Sequence, residues 1–345
     1  MKFNHLIRFT PIYQSRVWGG RRMETLLGAT LPDATTPFGE AWTVCDRPEA
    51  PSVTADGVSL HELWTNHREA VFGKALLACT SPTFPLLMKI LDACDDLSIQ
   101  VHPPASMAEE LKGEPKTEMW YIAHADPGAK IYAGLKPGAT RADFETALQK
   151  GTVADVVHVI EARTGDCLFI PSGRVHAIGA GLLIYEIQQN SDTTYRVFDW
   201  NRVGLDGKPR ALHVQESMQS IDFTDFEPGV QQIKSDGTLV KCEYFNVKVL
   251  SGSKQAGVPG ESLTLAVVSG KITVGGTTLK AGDFALVPAS LPTPARQVKP
   301  ANAESQWLEI RIPASGSSGL LPKNNVVATG KIVRATSALQ QAQLS

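Results

Sequence analysis

Two stretches of this 345-residue chain run in the same frame. ARTGDCLFIPSGRVHAIGAG (162–181) and LKAGDFALVPASLPTPARQ (279–297) each set Gly-Asp before a short apolar run that ends in proline. Gly-Asp supplies a tight hairpin turn, and the proline closes the strand that follows. A unit that recurs this way points to two related β units built on one plan. The remaining sequence agrees with that plan. FPLLMKIL (84–91), EMWYIAHA (118–125), CLFIP (167–171), LLIYEIQQ (182–189), KCEYFNVKVL (241–250) and SLTLAVVSGKITVGG (262–276) read as short strands between Gly, Pro and Asp. Helical spacing is sparser. LHELWTNHREAVFGKALLA (60–78) repeats Leu60, Leu63, Trp64, Val71 and Leu76 on one face. TRADFETALQK (140–150) opens on a capping box of Thr140 and Asp143, and AEELKG (108–113) reads as a short helical turn. The expectation is a mainly β protein of two jelly-roll units, with helical insertions in the N-terminal half. The units are expected at residues 1–225 and 226–345, with the boundary within 220–235 and a loop at 313–325.

The two copies differ at one chemically important place. The first carries Arg174 and His176 after its proline; the second has Leu291 and no histidine, so the second unit is expected to lack a metal site. Upstream, LSIQVHPP (97–104) alternates Leu97, Ile99 and Val101 with Ser98, Gln100 and His102, which puts three polar side chains on one strand face. Such a face is either wet or lines a site. Glu118 opens a later strand. Two imidazoles, a carboxylate and an amide oxygen form a mixed donor set that suits Zn²⁺, Mn²⁺ or Fe²⁺ with room for water or substrate. Each residue also has an ordinary reading. A single strand histidine is more often hydrogen-bonded structure, and Glu118 alone reads as a surface residue. Arg196, in the apolar run TTYRVFDW, reads as one half of an ion pair with Asp192 or Asp199.

Composition removes several classes of partner. A formal net charge of −2 gives the whole molecule no attraction for nucleic acid or an anionic membrane, while leaving room for a local basic pocket. The opening MKFNHLIRFTPIY lacks the pattern of a signal peptide, and no run is long and apolar enough to span a bilayer. The five cysteines are scattered, without a CxxC pair, which points to reduced thiols and a cytoplasmic setting. His61, His67, His124, His158 and His213 read as structural or surface residues. Trp18-Gly19-Gly20 reads as a packing turn, and Trp120, Tyr121, Tyr195, Phe198 and Trp200 as core.

Several separated motifs occur in a familiar order: PIYQSRVWGG, FGEAWTVCDRPEA, SIQVHPP, PKTEMWYI, IPSGRVHAIGAG, EIQQNSDTTYRVFDWNR and PRALHV. Together they resemble the class I mannose-6-phosphate isomerases in their short bacterial form, densely over residues 8–215 and loosely beyond. The resemblance implies a cupin fold and one Zn²⁺, with other divalent metals possible, held by Gln100, His102, Glu118 and His176. It implies an essential Arg196, a catalytic Lys116, and substrate contacts from Lys89, Ser98, Glu186 and Asp192. One departure stands out: Pro115 precedes Lys116 where longer members carry histidine, so any role of that histidine is absent. The helical insertion of the longer forms is missing too, and oligomeric behaviour does not carry over. The implied reaction interconverts mannose 6-phosphate and fructose 6-phosphate through an enediol or enediolate. Its base is open among Glu186, Asp192, Lys116 and a bound water. Two other functions compete. A cupin oxygenase using Fe²⁺ would need an HxH pattern, and Gln100 stands in its place. A sugar-phosphate-binding or regulatory protein without activity would have no need of the full residue set.

Overall fold

A computed structural model describes residues 3–314. The chain is mainly β and forms two cupin-like jelly rolls, with helical insertions in the N-terminal half. Four antiparallel sheets stack in layers. The first, six-stranded, runs Ile12–Gly20, Phe38–Val44, Leu86–Ala93, Leu182–Gln189, Glu118–Ala125, Cys167–Ile170. The second, five-stranded, runs Tyr195–Phe198, Ile99–Val101, His176–Ile178, Lys130–Leu135, Val157–Glu161. The third is built from Thr238–Lys241, Asn246–Ser251, Gln306–Arg311, Leu263–Ser269 and Phe284–Val287. The fourth contains Lys254–Gln255, Gln297–Pro300, Lys271–Val274 and Thr277–Lys280.

Alternating side chains decide how these layers meet. Leu91, Trp120, Ile122, Leu168 and Ile184 of the first sheet pack on Ile131, Ala133 and Ile178 of the second, forming one sandwich core. Leu265, Val267, Val287 and Trp307 pack on Ile272, Val274, Leu279 and Val298 to form the other. The first sheet turns its opposite face, with Met88, Ile90, Met119, Tyr185 and Ile187, onto Val247, Ala266, Leu286 and Leu308 of the third. It is therefore buried on both faces, which is why LLMKILDA is buried throughout. Tyr185 stitches the units together: its hydroxyl donates to Val267 O at 2.8 Å and accepts from the Gly282 N–H at 2.8 Å. Helices Arg141–Lys150 and Val214–Ser220 cover the outer face of the second sheet through Phe144, Leu148 and Met218.

The Gly-Asp repeat has one structural meaning in both copies. Gly165 and Gly282 sit at φ +93° and +91°, a region costly for other residues. In each turn the aspartate carboxylate accepts a backbone N–H three residues back, Asp166 from Arg163 at 2.8 Å and Asp283 from Lys280 at 2.9 Å.

Some expectations needed correction. The segment 241–250 is not one strand but a hairpin, closed by the Cys242 N–H to Phe245 O bond at 3.0 Å. The run 262–276 is likewise interrupted by Gly270 at φ +65°. The helical stretch 60–78 splits into Leu60–Asn66, Arg68–Phe72 and a 3₁₀ turn, Lys74–Leu76: His67 leaves the helical region at φ −129°, and Gly73 at φ +91° ends the second helix. Residues 108–113 form turns, with Lys112 at φ +52°. Leu6 packs in the core of the second sandwich and Ile7 pairs with Leu286, while Phe3 packs edge-on against His67, so the N-terminal segment contacts both units. Most of the loop expected at 313–325 lies outside the described residues.

Candidate active site

One end of the first sandwich breaks the apolar pattern. On the second sheet, Arg196, Gln100 and His176 are direct neighbours across three adjacent strands. Ile99, Val101, Tyr195, Val197 and Ala177, which alternate with them, pack outward beneath the helices. The polar face of LSIQVHPP therefore points into the sandwich. On the first sheet, Trp42, Lys89, Glu186 and Trp120 form the corresponding row. Between the rows opens a cavity of ≈ 400 Å³, lined by Lys89, Ser98, Gln100, Lys116, Glu186, Asp192 and Arg196.

His102, Glu118 and His176 sit beside Gln100 and Lys116, and all three are fully buried. Each offers a ligand atom within 4.8 Å of the others. The tautomers are set by the backbone. His102 Nδ1 lies 2.8 Å from Thr193 O, and His176 Nδ1 lies 2.9 Å from Arg174 O. A carbonyl only accepts, so each Nδ1 carries the proton and each Nε2 presents a lone pair. Those lone pairs face a carboxylate: His102 Nε2 is 3.5 Å from Glu118 Oε2, and His176 Nε2 is 3.4 Å from Glu118 Oε1. Burial, and then Lys116, pushes His102 down to about 3; burial also lowers His176. Neither ring supplies a second proton at neutral pH. His102 Nε2 and Glu118 Oε1 lack any hydrogen bond, and Glu118 Oε2 is met only by the Lys116 ammonium at 2.7 Å. Buried acceptors converging with too few donors are costly, and a divalent cation would resolve that cost at His102 Nε2 and Glu118 Oε1. The donor set thus fits a metal ion. Gln100 closes the group: its amide N–H donates to His176 Nε2 at 3.2 Å, and its oxygen accepts from the Ser98 hydroxyl at 3.5 Å.

Charge around this group is arranged in pairs. Lys116 Nζ lies 2.7 Å from Glu118 Oε2. Burial alone would raise the Glu118 carboxyl, yet Lys116 and the histidines hold it well below the usual range. Lys89 stands 3.5 Å from both Glu40 and Glu186, and the Trp120 indole donates to Glu186 at 3.0 Å. Burial and the nearby Glu118 raise the Glu186 carboxyl. Arg196 has no acidic partner among the described residues. The expected pairing with Asp192 or Asp199 is not made, because Asp199 is occupied by Arg202 at 3.0 Å and Arg210 at 2.5 Å. Arg196 instead donates to Ala211 O at 2.9 Å and keeps a buried Nε unpaired. Burial and then Arg210 lower its pKa. No hydrogen bond or ion pair among the described residues engages the Asp192 carboxylate.

All ten residues singled out in the sequence gather at this end of the sandwich. Residues not singled out join them: Arg16, Trp18, Glu40, Arg210 and His213 also line the cavity. His213 is thus neither remote nor merely surface, and its Nδ1 meets the Arg196 N–H at 3.3 Å. Trp18 lies in a strand that both packs the core and reaches the cavity. The available signal for Glu40 was an acid inside the wholly buried strand FGEAWTV.

Comparison with known proteins gives a consistent picture. A model of the phosphomannose isomerase type I catalytic domain matches residues 6–114. The chain is 35% identical over 302 residues to mannose-6-phosphate isomerase ManA of Bacillus subtilis, covering 82% of this chain and 93% of that protein. It is 37% identical over 292 residues to mannose-6-phosphate isomerase of Streptococcus mutans, covering 80% of this chain and 90% of that one. The crystal structure of the mannose 6-phosphate isomerase from Bacillus subtilis superposes with a TM-score of 0.78 at 30% identity, covering 89% of this chain and 100% of the other.

Proposed function

The chain belongs to the type I mannose-6-phosphate isomerase family, and on that premise we propose that it interconverts mannose 6-phosphate and fructose 6-phosphate through an enediol(ate), using one divalent metal ion, Zn²⁺. The observation that carries this reading is the convergence of His102, Glu118 and His176 as proton-free acceptors beside a cavity rich in cations. Gln100, His102, Glu118 and His176 would hold the ion. When bound, it supplies Lewis acidity towards the oxygens of the two carbons that exchange oxidation state.

The other residues divide the remaining work. Lys116, fixed beside Glu118, and Arg196 bring positive charge to the place where the substrate oxygens become negative. Arg210, which reaches the cavity while anchored on Asp199, receives the phosphate. Lys89, Ser98 and Glu186 orient sugar hydroxyls. Asp192, the wall carboxylate without an ion pair, carries the proton between carbon 2 and carbon 1. Trp18 and Trp120 are almost fully buried and keep water from the floor of the cavity. All five cysteines are free, which supports a cytoplasmic enzyme acting on a soluble phosphosugar.

The test is a coupled assay for fructose 6-phosphate on metal-stripped protein before and after Zn²⁺ is restored, beside metal analysis of the protein as purified. Turnover that returns with the metal is expected. Absence of turnover with zinc bound would favour a binding protein that kept the fold.

A further inference from the structure

Lys89 and Glu186 face each other across adjacent antiparallel strands, and both are nearly buried, 4% and 3% exposed. A buried ammonium and carboxylate so placed ordinarily close to a charge-assisted hydrogen bond of roughly 2.8 Å. Here Lys89 Nζ stops 3.5 Å from Glu186 Oε2, and that oxygen is buried without a hydrogen bond. The cause lies on the neighbouring strand. Glu40 Oε2 holds the same ammonium at 3.5 Å from the other side. Glu40 is itself fixed, accepting from Arg16 Nε at 2.7 Å and from the Trp42 indole at 2.6 Å. Lys89 also sits 4.9 Å over the Trp42 ring. The ammonium hangs between two carboxylates and is hydrogen-bonded to neither.

We propose that Glu40 is a positioning residue: it holds Lys89 back from Glu186 and so keeps an unpaired donor and an unpaired acceptor open, side by side, for one hydroxyl of the substrate. A hydroxyl both accepts and donates, so it can take a proton contact from Lys89 while giving its own to Glu186 Oε2. A phosphate group has no proton to give Glu186 and is repelled by it. The pair therefore selects the hydroxyl-bearing part of a sugar phosphate and leaves the anion to Arg210. This inference rests on reading the cavity as a phosphosugar site.

Glu40→Gln keeps the side-chain volume and an acceptor for Trp42 but removes the charge that restrains Lys89. In its crystal structure Lys89 should move onto Glu186 and close the present 3.5 Å gap to hydrogen-bond length. KM for mannose 6-phosphate should rise about tenfold or more, with a smaller change in kcat. Bound metal and the inhibition constant of inorganic phosphate should not change. In a Lys89→Met background the same substitution should add no further loss, because Glu40 acts through Lys89. An unmoved Lys89 with an unchanged KM overturns the proposal. So does an equal additional loss in the Lys89→Met background, or a loss of metal and melting temperature that marks Glu40 as structural only. If the unsubstituted protein does not turn over mannose 6-phosphate, the functional reading fails. The Lys89–Glu186 distance in the variant still decides the positioning claim.

Discussion

Gln100 and Arg196 are partners across adjacent antiparallel strands, with His176 directly opposite Gln100 on its other side. One row of one sheet therefore fixes the Gln100 amide, the His176 imidazole and the Arg196 guanidinium relative to one another. Facing it, Lys89, Glu186 and Trp120 form a second such row. Sheet register holds these two rows, and a slip of one residue would turn either out of the cavity, while His102, Lys116, Asp192 and Arg210 come from the adjoining loops.

His176→Ala should remove bound metal and isomerase activity together. The imidazole supplies one of three converging acceptors, and its loss leaves Glu118 facing His102 alone. Metal content by atomic emission and turnover should fall in parallel. Full activity in a metal-free sample of this variant contradicts the assignment.

Arg196→Ala should retain the metal and lower kcat/KM by roughly a hundredfold or more, the usual cost of removing one preorganised charge from a transition state. Arg210→Ala should act mainly on KM and weaken inhibition by inorganic phosphate, because Arg210 reaches the cavity while anchored on Asp199. Loss of metal from either variant would place these arginines in the wrong part of the site.

Asp192→Asn should slow turnover while leaving the phosphate inhibition constant in place. Exchange of the carbon-2 proton with solvent, followed by deuterium incorporation, should slow with it. Wild-type exchange in this variant would move the base to Glu186.

The metal-free protein should lose stability as pH falls below about 6.5. Burial, followed by Lys116, holds His102 down to about 3, whereas the unfolded chain protonates it at the ordinary value. The unfolded state thus binds more protons between those values, and stability falls with pH across that window. At pH 5 the loss from this group is about 2 kcal/mol. Denaturant midpoints at pH 7.5 and pH 5 measure it, and bound metal should reduce the difference. A midpoint independent of pH over this range would mean that His102 is not held neutral.

Much of this protein was legible in its sequence, and the reasons are local. Alternation in LSIQVHPP assigned Ser98, Gln100 and His102 to one face. Thr140 and Asp143 marked the start of Arg141–Lys150, where both capping-box bonds form. Gly-Asp before a strand located both tight turns, although each passes the chain from one sheet of its sandwich to the other instead of closing the expected hairpin. In each case the determining interaction spans only a few residues of chain. The motifs carried the family resemblance, and with it the candidate ligands. Misreadings arose where a single position outweighed a periodic pattern, as Gly73 did within 60–78 and Gly270 within 262–276. What the chain alone did not disclose was pairing at a distance. Asp199 and Asp192 were equal candidates for Arg196 until the structure joined Asp199 to Arg202 and Arg210. Glu40 carried no visible role until its strand came to lie beside that of Lys89. Residue type and short-range spacing fixed which groups can bind a metal or a phosphosugar. Only the folded sheets decided which of those groups neutralise one another and which stay free for substrate, because charge pairing depends on separations in space that the order of residues does not encode.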